Sequence, residues 1–168
     1  MPPTNFDWAR GYALQALSDL DTRDLLARLN AGKCHRLHFL QMAAEKTCKA
    51  HLIVASGYRN VKKSHAYVES VLPIIARQFY SMANDKNKIA KWEMEKIKNL
   101  AREIELLSPA CDDGDARGDN SEYPWLDAQG NVQIPCQYRF SGIDDGSRDI
   151  NRLIKLIRAA SESYAGNA

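Results

Sequence analysis

The chain has little excess of either charge. Its 23 Lys and Arg stand against 21 Asp and Glu, a net charge of +2, so the total gives no reason to expect a polyanionic partner. Any basic surface must come from local clustering of cations. Cysteine is sparse and scattered: Cys34, Cys48, Cys111 and Cys136 form no C-x-x-C pair. A chain of 168 residues is long enough to bury a real core without such staples, and the four read as reduced thiols of a cytoplasmic protein. No stretch approaches the ~20 apolar residues that span a bilayer, so no membrane partner is expected. The opening MPPTNFDWARGY carries charges and no apolar run, and is not expected to be a signal peptide. The acidic stretch 110–120, with Asp112, Asp113, Asp115 and Asp119, lacks the ligand spacing and closing Glu of a calcium loop and reads as solvated. There is no internal repeat and no low-complexity tract, so residues 1–168 are expected to form one domain without metal or cofactor.

What the chain does have is helical periodicity. Residues 5–30 place Leu14, Leu17, Leu20, Leu25, Leu26 and Leu29 on an apolar face. Gly11 and the 18–22 stretch leave open one bent helix or two short ones, and Asn30-Ala31-Gly32 is a stop signal. Residues 33–56 carry a continuous stripe, Leu37, Leu40, Ala44, Cys48 and Leu52, widened by Phe39, Met42, Ala43, Ala50 and Ile53. A helix apolar over so much of its circumference is usually central, and its alanines permit close approach of a neighbour. Ser64 is a suitable N-cap for a third helix over 65–82, with Val68, Leu72, Ile75 and Phe79 as its apolar face and Pro73 inside it. A fourth helix over 86–107 shows Ile97, Leu100, Ile104 and Leu107, with Ile89 and Trp92 extending that face; its lysines and glutamates read as a solvated surface. Residues 118–142 change character. Gln129-Gly130-Asn131 is a turn signal between short alternating runs, predicting a small β-hairpin pinned by Trp125 and Phe140. A last helix follows Ser147, with Ile150, Leu153, Ile154, Ile157 and Ala160. The expected fold is all-α: an antiparallel up-and-down bundle of four to five helices with the hairpin inserted before the last.

One arrangement in the chain has the makings of chemistry. Arg59-Asn60 and His65 lie in the basic loop between the second and third helices, with Lys62 and Lys63 between them. Spacing alone also fits a plain exposed basic loop with His65 as a helix-start residue and Tyr67 in the core. Cys34 and His38, four apart on a helix with His35 adjacent, are a conceivable metal pair, but two ligands make a poor zinc site and a buried thiol beside an ordinary histidine is the simpler reading. Glu45 and Lys46 are consecutive and point about 100° apart on a helix, which suits packing, dimer contacts or solvation better than joint catalysis. His51 has no partner visible in the sequence.

The run HFLQMAAEKTCKAHLIVASG, followed by a loop and SHAYVESVLP, resembles the HEPN family (higher eukaryotes and prokaryotes nucleotide-binding domain). Gln41, Ala43, Ala44, Glu45, Lys46, Lys49 and Ala50 carry the likeness, with His65 continuing it; the specific part covers roughly residues 33–72. The resemblance implies an up-and-down helical bundle, usually a homodimer. Many members are metal-independent ribonucleases that act as toxins or defence effectors, with a signature of Arg, commonly a polar residue, and a His a few residues on. Arg59, Asn60 and His65 fit it here, and His65-Ala66-Tyr67 resembles the His-x-Tyr of toxins that a partner nucleotidyltransferase silences by adenylylating the tyrosine. Other members are non-catalytic and bind a nucleotide or a protein partner.

On the ribonuclease reading, His65 is base or acid, since its ordinary pKa lies nearest neutrality. At the first turn of a helix the dipole would keep it unprotonated, and the free N–H groups there would hold the scissile phosphate. Arg59 would pair two phosphate oxygens, Asn60 would orient a reacting group or the ribose, and Lys62 and Lys63 would hold flanking phosphates. A second copy of the chain is the economical source of the second acid. Tyr67 is the candidate for regulatory modification by an antitoxin or nucleotidyltransferase partner.

Overall fold

A computed structural model describes residues 2–61, 66–83, 91–109 and 120–166. The chain is an all-α bundle of five helices with a two-stranded antiparallel hairpin before the last. Helix α1 (Asn5–Arg28) begins with a reciprocal cap. Thr4 Oγ1 accepts the Asp7 N–H at 3.2 Å, and Asp7 Oδ2 accepts the Thr4 N–H at 2.7 Å. The helix then runs unbroken through Gly11 and residues 18–22. It stops where expected, with Asn30 at a φ of 52° and the Ala31 N–H donating to Leu26 O at 2.9 Å.

The face that α1 buries differs from the leucine face anticipated above. Ala9, Ala13, Ala16, Leu20 and Arg23 are buried, whereas Leu14, Leu25 and Leu29 are exposed, Leu29 by 68%. Helix α2 (Lys33–Ser56) is the reason. The four residues between α1 and α2 fold them into an antiparallel hairpin that is the most extensive helix contact in the bundle. Alanines on α1 and the buried Ala43, Ala44 and Ala50 of α2 let the two axes come close; leucines there would hold them apart.

The second helix keeps its expected bounds and is central. It touches α1, α3 (Val68–Ala83), α4 (Lys91–Glu105) and α5 (Arg148–Gly166), and Leu37, Leu40, Ala44 and Cys48 are fully buried. One apolar cluster joins all five helices: Leu20, Leu40, Leu72, Ile104 and Ile157 are among its fully buried members. Helix α4 departs from its expected face at one point. Trp92 is 59% exposed, with Lys96 Nζ 5.3 Å from its ring centroid, so the apolar face begins at Met94 and Ile97. Ile89 and the rest of the expected first turn, residues 86–90, lie outside the described residues, as does the acidic stretch 110–119.

The hairpin pairs Trp125 with Gln133 and Leu126 with Val132. Asp127 Oδ1 shapes its turn by accepting the Gln129 and Asn131 N–H groups at 3.0 and 2.8 Å. Trp125, Tyr138 and Phe140 form an edge-on aromatic cluster, and Phe140 is buried against the helices as expected. Phe140 holds a φ of 47°, a conformation costly to a bulky residue. Lys33 Nζ secures it from α2, donating to Arg139 O and Phe140 O at 3.0 Å each. No helix among the described residues is long and apolar enough to cross a membrane.

Gly11 lies inside α1 with nothing among the described residues within 4 Å of where a Cβ would stand. Glycine there weakens the helix with no packing return from the described residues. Gly11→Ala should therefore raise the unfolding free energy by about 0.5–1 kcal/mol, read as a higher urea midpoint at unchanged slope.

Candidate functional site

The candidate loop leaves α2 at Gly57. Gly57 takes a φ of 86°, donates its N–H to Ile53 O at 2.8 Å, and passes so close to α1 that an added Cβ would stand 3.2 Å from Asn5 Nδ2. Both the positive φ and the close approach call for glycine. The next three residues, Tyr58–Asn60, form one 3-10 turn. The start of α1 anchors its first residue twice: Asn5 Oδ1 accepts the Tyr58 N–H at 3.1 Å, and Trp8 stacks on the Tyr58 ring at 4.1 Å with 10° between planes. The third residue is anchored back to α2, Asn60 Nδ2 donating to Ser56 O. Arg59, between them, is exposed, and among the described residues it has no carboxylate partner.

The expected site residues therefore fall into three groups. Arg59 and Asn60 share one braced turn, with the Asn60 amide already donating to the α2 carboxyl end. Lys62, Lys63, Ser64 and His65 lie outside the described residues. Tyr67 is half-buried in a turn before α3, packed on the core, with Lys49 Nζ 6.0 Å from its ring centroid.

Two expectations about the third helix need correction. Among the described residues it opens at Val68 rather than at residue 65, and His65 itself lies outside them. Its exposed N–H groups are also met from within the chain. Glu105, at the end of α4, accepts the Glu69 N–H at 2.9 Å. A carboxylate already fills the place proposed for a scissile phosphate, because the close packing of α3 on α4 brings Glu105 there. Burial raises the Glu105 carboxyl above its usual range, and the charges of Glu69 and Glu45 add to this, while its bonds to the Glu69 and Val68 N–H groups pull it back.

Beneath Tyr67, α2 carries a buried polar ladder at four-residue spacing. Gln41 Nε2 donates to Glu45 Oε2 at 3.1 Å, and Lys49 Nζ meets Glu45 Oε1 at 2.7 Å. Both members of the ion pair are nearly inaccessible, at 5% and 9% side-chain exposure. These are residues that carry the family likeness, and they lie in the interior. Lys46 instead reaches sideways to Asp19 on α1. Cys48, between them, is fully buried; burial above all, with Glu105 and Glu45 nearby, pushes its thiol far up and leaves it unreactive. Cys34 is buried and His38 Nδ1 lies 3.4 Å from Glu122 Oε1. Among the described residues no group of three or more His, Cys, Asp or Glu is arranged to hold a metal ion.

His51 has the partner that the sequence could not supply. Its Nδ1 is 2.8 Å from the Tyr164 hydroxyl on α5, more than a hundred positions away. Burial lowers the His51 pKa and raises that of Tyr164 to about 12. Sequence reasoning also missed Trp8, Tyr58 and Glu105. The aromatic-rich opening NFDWARGY was the one available signal for Trp8; Glu105 gave none, since its role depends on how α3 meets α4.

Comparison with protein-family models, with curated proteins and with solved structures found no match to this chain.

Removing Lys49 alone takes from the buried Glu45 carboxylate the ammonium that meets it at 2.7 Å. Lys49→Met should destabilise the fold by roughly 3–5 kcal/mol, and Glu45→Gln in the same chain should recover much of that loss in a double-mutant cycle by urea unfolding. For His51 the folded pKa lies below the ordinary 6.5, so the unfolded chain binds the proton more readily. Its stabilisation is present above pH 6.5 and is lost as pH falls through the depressed folded value. Glu105 acts oppositely, losing stabilisation as pH rises from its unfolded value. The difference between wild type and His51→Gln isolates the histidine: the gap in melting temperature should shrink as pH is lowered.

Proposed function

We propose that the chain is a metal-independent RNA endonuclease of HEPN type that works as a homodimer, the toxic or defensive half of a regulated pair. The observation that supports this reading best is Arg59, exposed on a turn whose neighbours on both sides are anchored. A guanidinium on a braced backbone can pair two oxygens of a phosphate with little loss of freedom on binding. In the proposed reaction His65 takes the proton from a ribose 2′-hydroxyl. The 2′-oxygen attacks phosphorus, and the bond to the 5′-oxygen breaks, giving a cyclic 2′,3′-phosphate and a 5′-hydroxyl. Arg59 stabilises the charge that gathers on the phosphorane oxygens, and an acid from the second copy protonates the leaving 5′-oxygen. Asn60 offers its carbonyl oxygen while its amide N–H remains on Ser56, and Lys62 and Lys63 neutralise flanking phosphates.

A second reading, a non-catalytic module that binds a nucleotide or a nucleotidyltransferase, draws on a different observation. Glu105 occupies the helix-three N–H groups that a phosphate would use. On either reading Tyr67 is the proposed target of regulatory modification, and its half-buried ring would have to present its hydroxyl to the partner.

RNA cleavage by purified protein in excess EDTA separates the two. Wild type is expected to cleave and to leave cyclic phosphate ends, with Arg59→Ala and His65→Ala each slower by about 10²- to 10⁴-fold at unchanged melting temperature. Cleavage that survives both substitutions would move the chemistry elsewhere. A folded, dimeric wild type inert towards a broad RNA panel would favour the binding module.

A further inference from the structure

We propose that the flank of α1 beside the 58–60 turn is a nucleobase pocket, taking one unpaired base of single-stranded RNA while Arg59 holds an adjoining phosphate. This deepens the RNA reading above and rests on it. A cavity of about 230 Å³ is lined there by Trp8, Gly11, Tyr12, Gln15 and Lys46. Four of these residues recur at three- and four-residue steps along α1 and so share one face. The volume falls below the ~300 Å³ and more typical of drug-sized ligands and suits a single planar ring.

Three features favour a base as the occupant. The walls are aromatic: Trp8, 37% exposed, and Tyr12 flank the opening, and aromatic faces stack any base. The cavity shares one wall with the candidate loop's anchor, since the same indole stacks on Tyr58, one residue before Arg59. On this proposal the exposed Arg59 supplies the charge complement a nucleic acid requires. Polar groups at the rim are also disposed for ring edges. Gln15 Nε2 donates to Asp19 Oδ1 at 3.2 Å, which turns the amide and leaves its carbonyl oxygen to accept; Lys46, paired with the same carboxylate, contributes its stem and ammonium edge.

Gly11 gives the independent argument. Among the described residues nothing stands within 4 Å of a Cβ added there, so no contact among them asks for glycine inside this helix. A flat ligand lying against bare helix backbone does ask for it. Aliphatic docking by a partner helix would use the leucines on the next face, Leu14 and Leu25, rather than this aromatic floor.

The test is fluorescence anisotropy with short labelled 2′-O-methyl oligoadenylate and oligouridylate, which cannot undergo 2′-hydroxyl attack, alongside cleavage of the unmodified RNAs. Trp8→Ala and Gly11→Leu should each weaken oligonucleotide binding about tenfold, while Trp8→Phe retains it. Gly11→Leu fills the cavity yet favours the helix, so its melting temperature should equal or exceed that of wild type, and its loss of binding cannot be misfolding. Binding by wild type that both variants retain would overturn the pocket and leave the RNA reading standing. Pocket-dependent binding without cleavage of any RNA would keep the pocket and overturn the endonuclease. Folded wild type that binds no oligonucleotide overturns both. A change of oligomeric state in Gly11→Leu, seen by light scattering, would assign this face to contacts between copies and overturn the pocket.

Discussion

Helix α2 has neighbours on nearly every side, and the rest of the molecule follows from that enclosure. A surrounded helix cannot send its polar residues to water, so each must find a partner in the interior or carry the cost of desolvation. Gln41, Glu45 and Lys49 solve this along one line of the helix, each bonded to the next at a spacing of four. Thr47 solves it across the bundle, its hydroxyl 2.7 Å from that of Ser161 on α5 while it also bonds to Ala43 O. Lys46 and His51 reach α1 and α5 respectively. These polar contacts set the rotation of each outer helix about α2 more sharply than apolar packing would, because a misplaced helix would leave a buried donor or acceptor unmet.

The same enclosure governs the candidate loop. The chain emerges from α2 beside the start of α1, and the space there is so tight that Gly57 meets Asn5 directly. Asn5 and Trp8 then take hold of Tyr58, and Asn60 turns back onto Ser56. Arg59 thus owes its position to a residue pair more than fifty positions upstream. At the far side, Glu105 terminates α3 from α4, so both ends of the loop are set by helices that do not contain it. An arrangement of this kind can hold a functional side chain at low entropic cost, which is the usual virtue of a loop on a rigid scaffold.

Charge is distributed to match. The N-terminal approach to α5 is tied to α1 and α2 through Asp145, which accepts Arg36 Nε at 2.7 Å and, through its carbonyl, Arg23 at 3.1 Å. Arg158 bridges Asp21 and Asp24 on α1. The acidic residues of the first helix are therefore largely spent on internal pairs or on its own cap, and the side of α1 beside the loop presents aromatics and an amide, with the paired Lys46 of α2 at its edge. A balanced net charge is compatible with a local surface suited to an anionic ligand.

Helix existence, order and core faces were legible in the sequence wherever a helix has one apolar side, as in α3 and α5, because a 3.6-residue period and a fixed burial direction leave one solution. The bounds of α2, the hairpin with its aromatic pins, and the loop bearing Arg59 and Asn60 were legible for the same local reasons of capping, turn chemistry and alternation. Helix α1 was not, since its leucines and alanines mark two rival faces and only the close approach of α2 selects the small one. The pairings of Glu45 with Lys49, His51 with Tyr164 and Glu105 with the start of α3 share a physical cause. Local sequence determines which segments become helical and which side they hide; it does not determine which helix lies against which at what rotation. Every feature that depends on that rotation, from the buried ladder to the cap on α3 and the stacking of Trp8 on Tyr58, was decided by the tertiary structure, where desolvated groups distant in sequence had to meet.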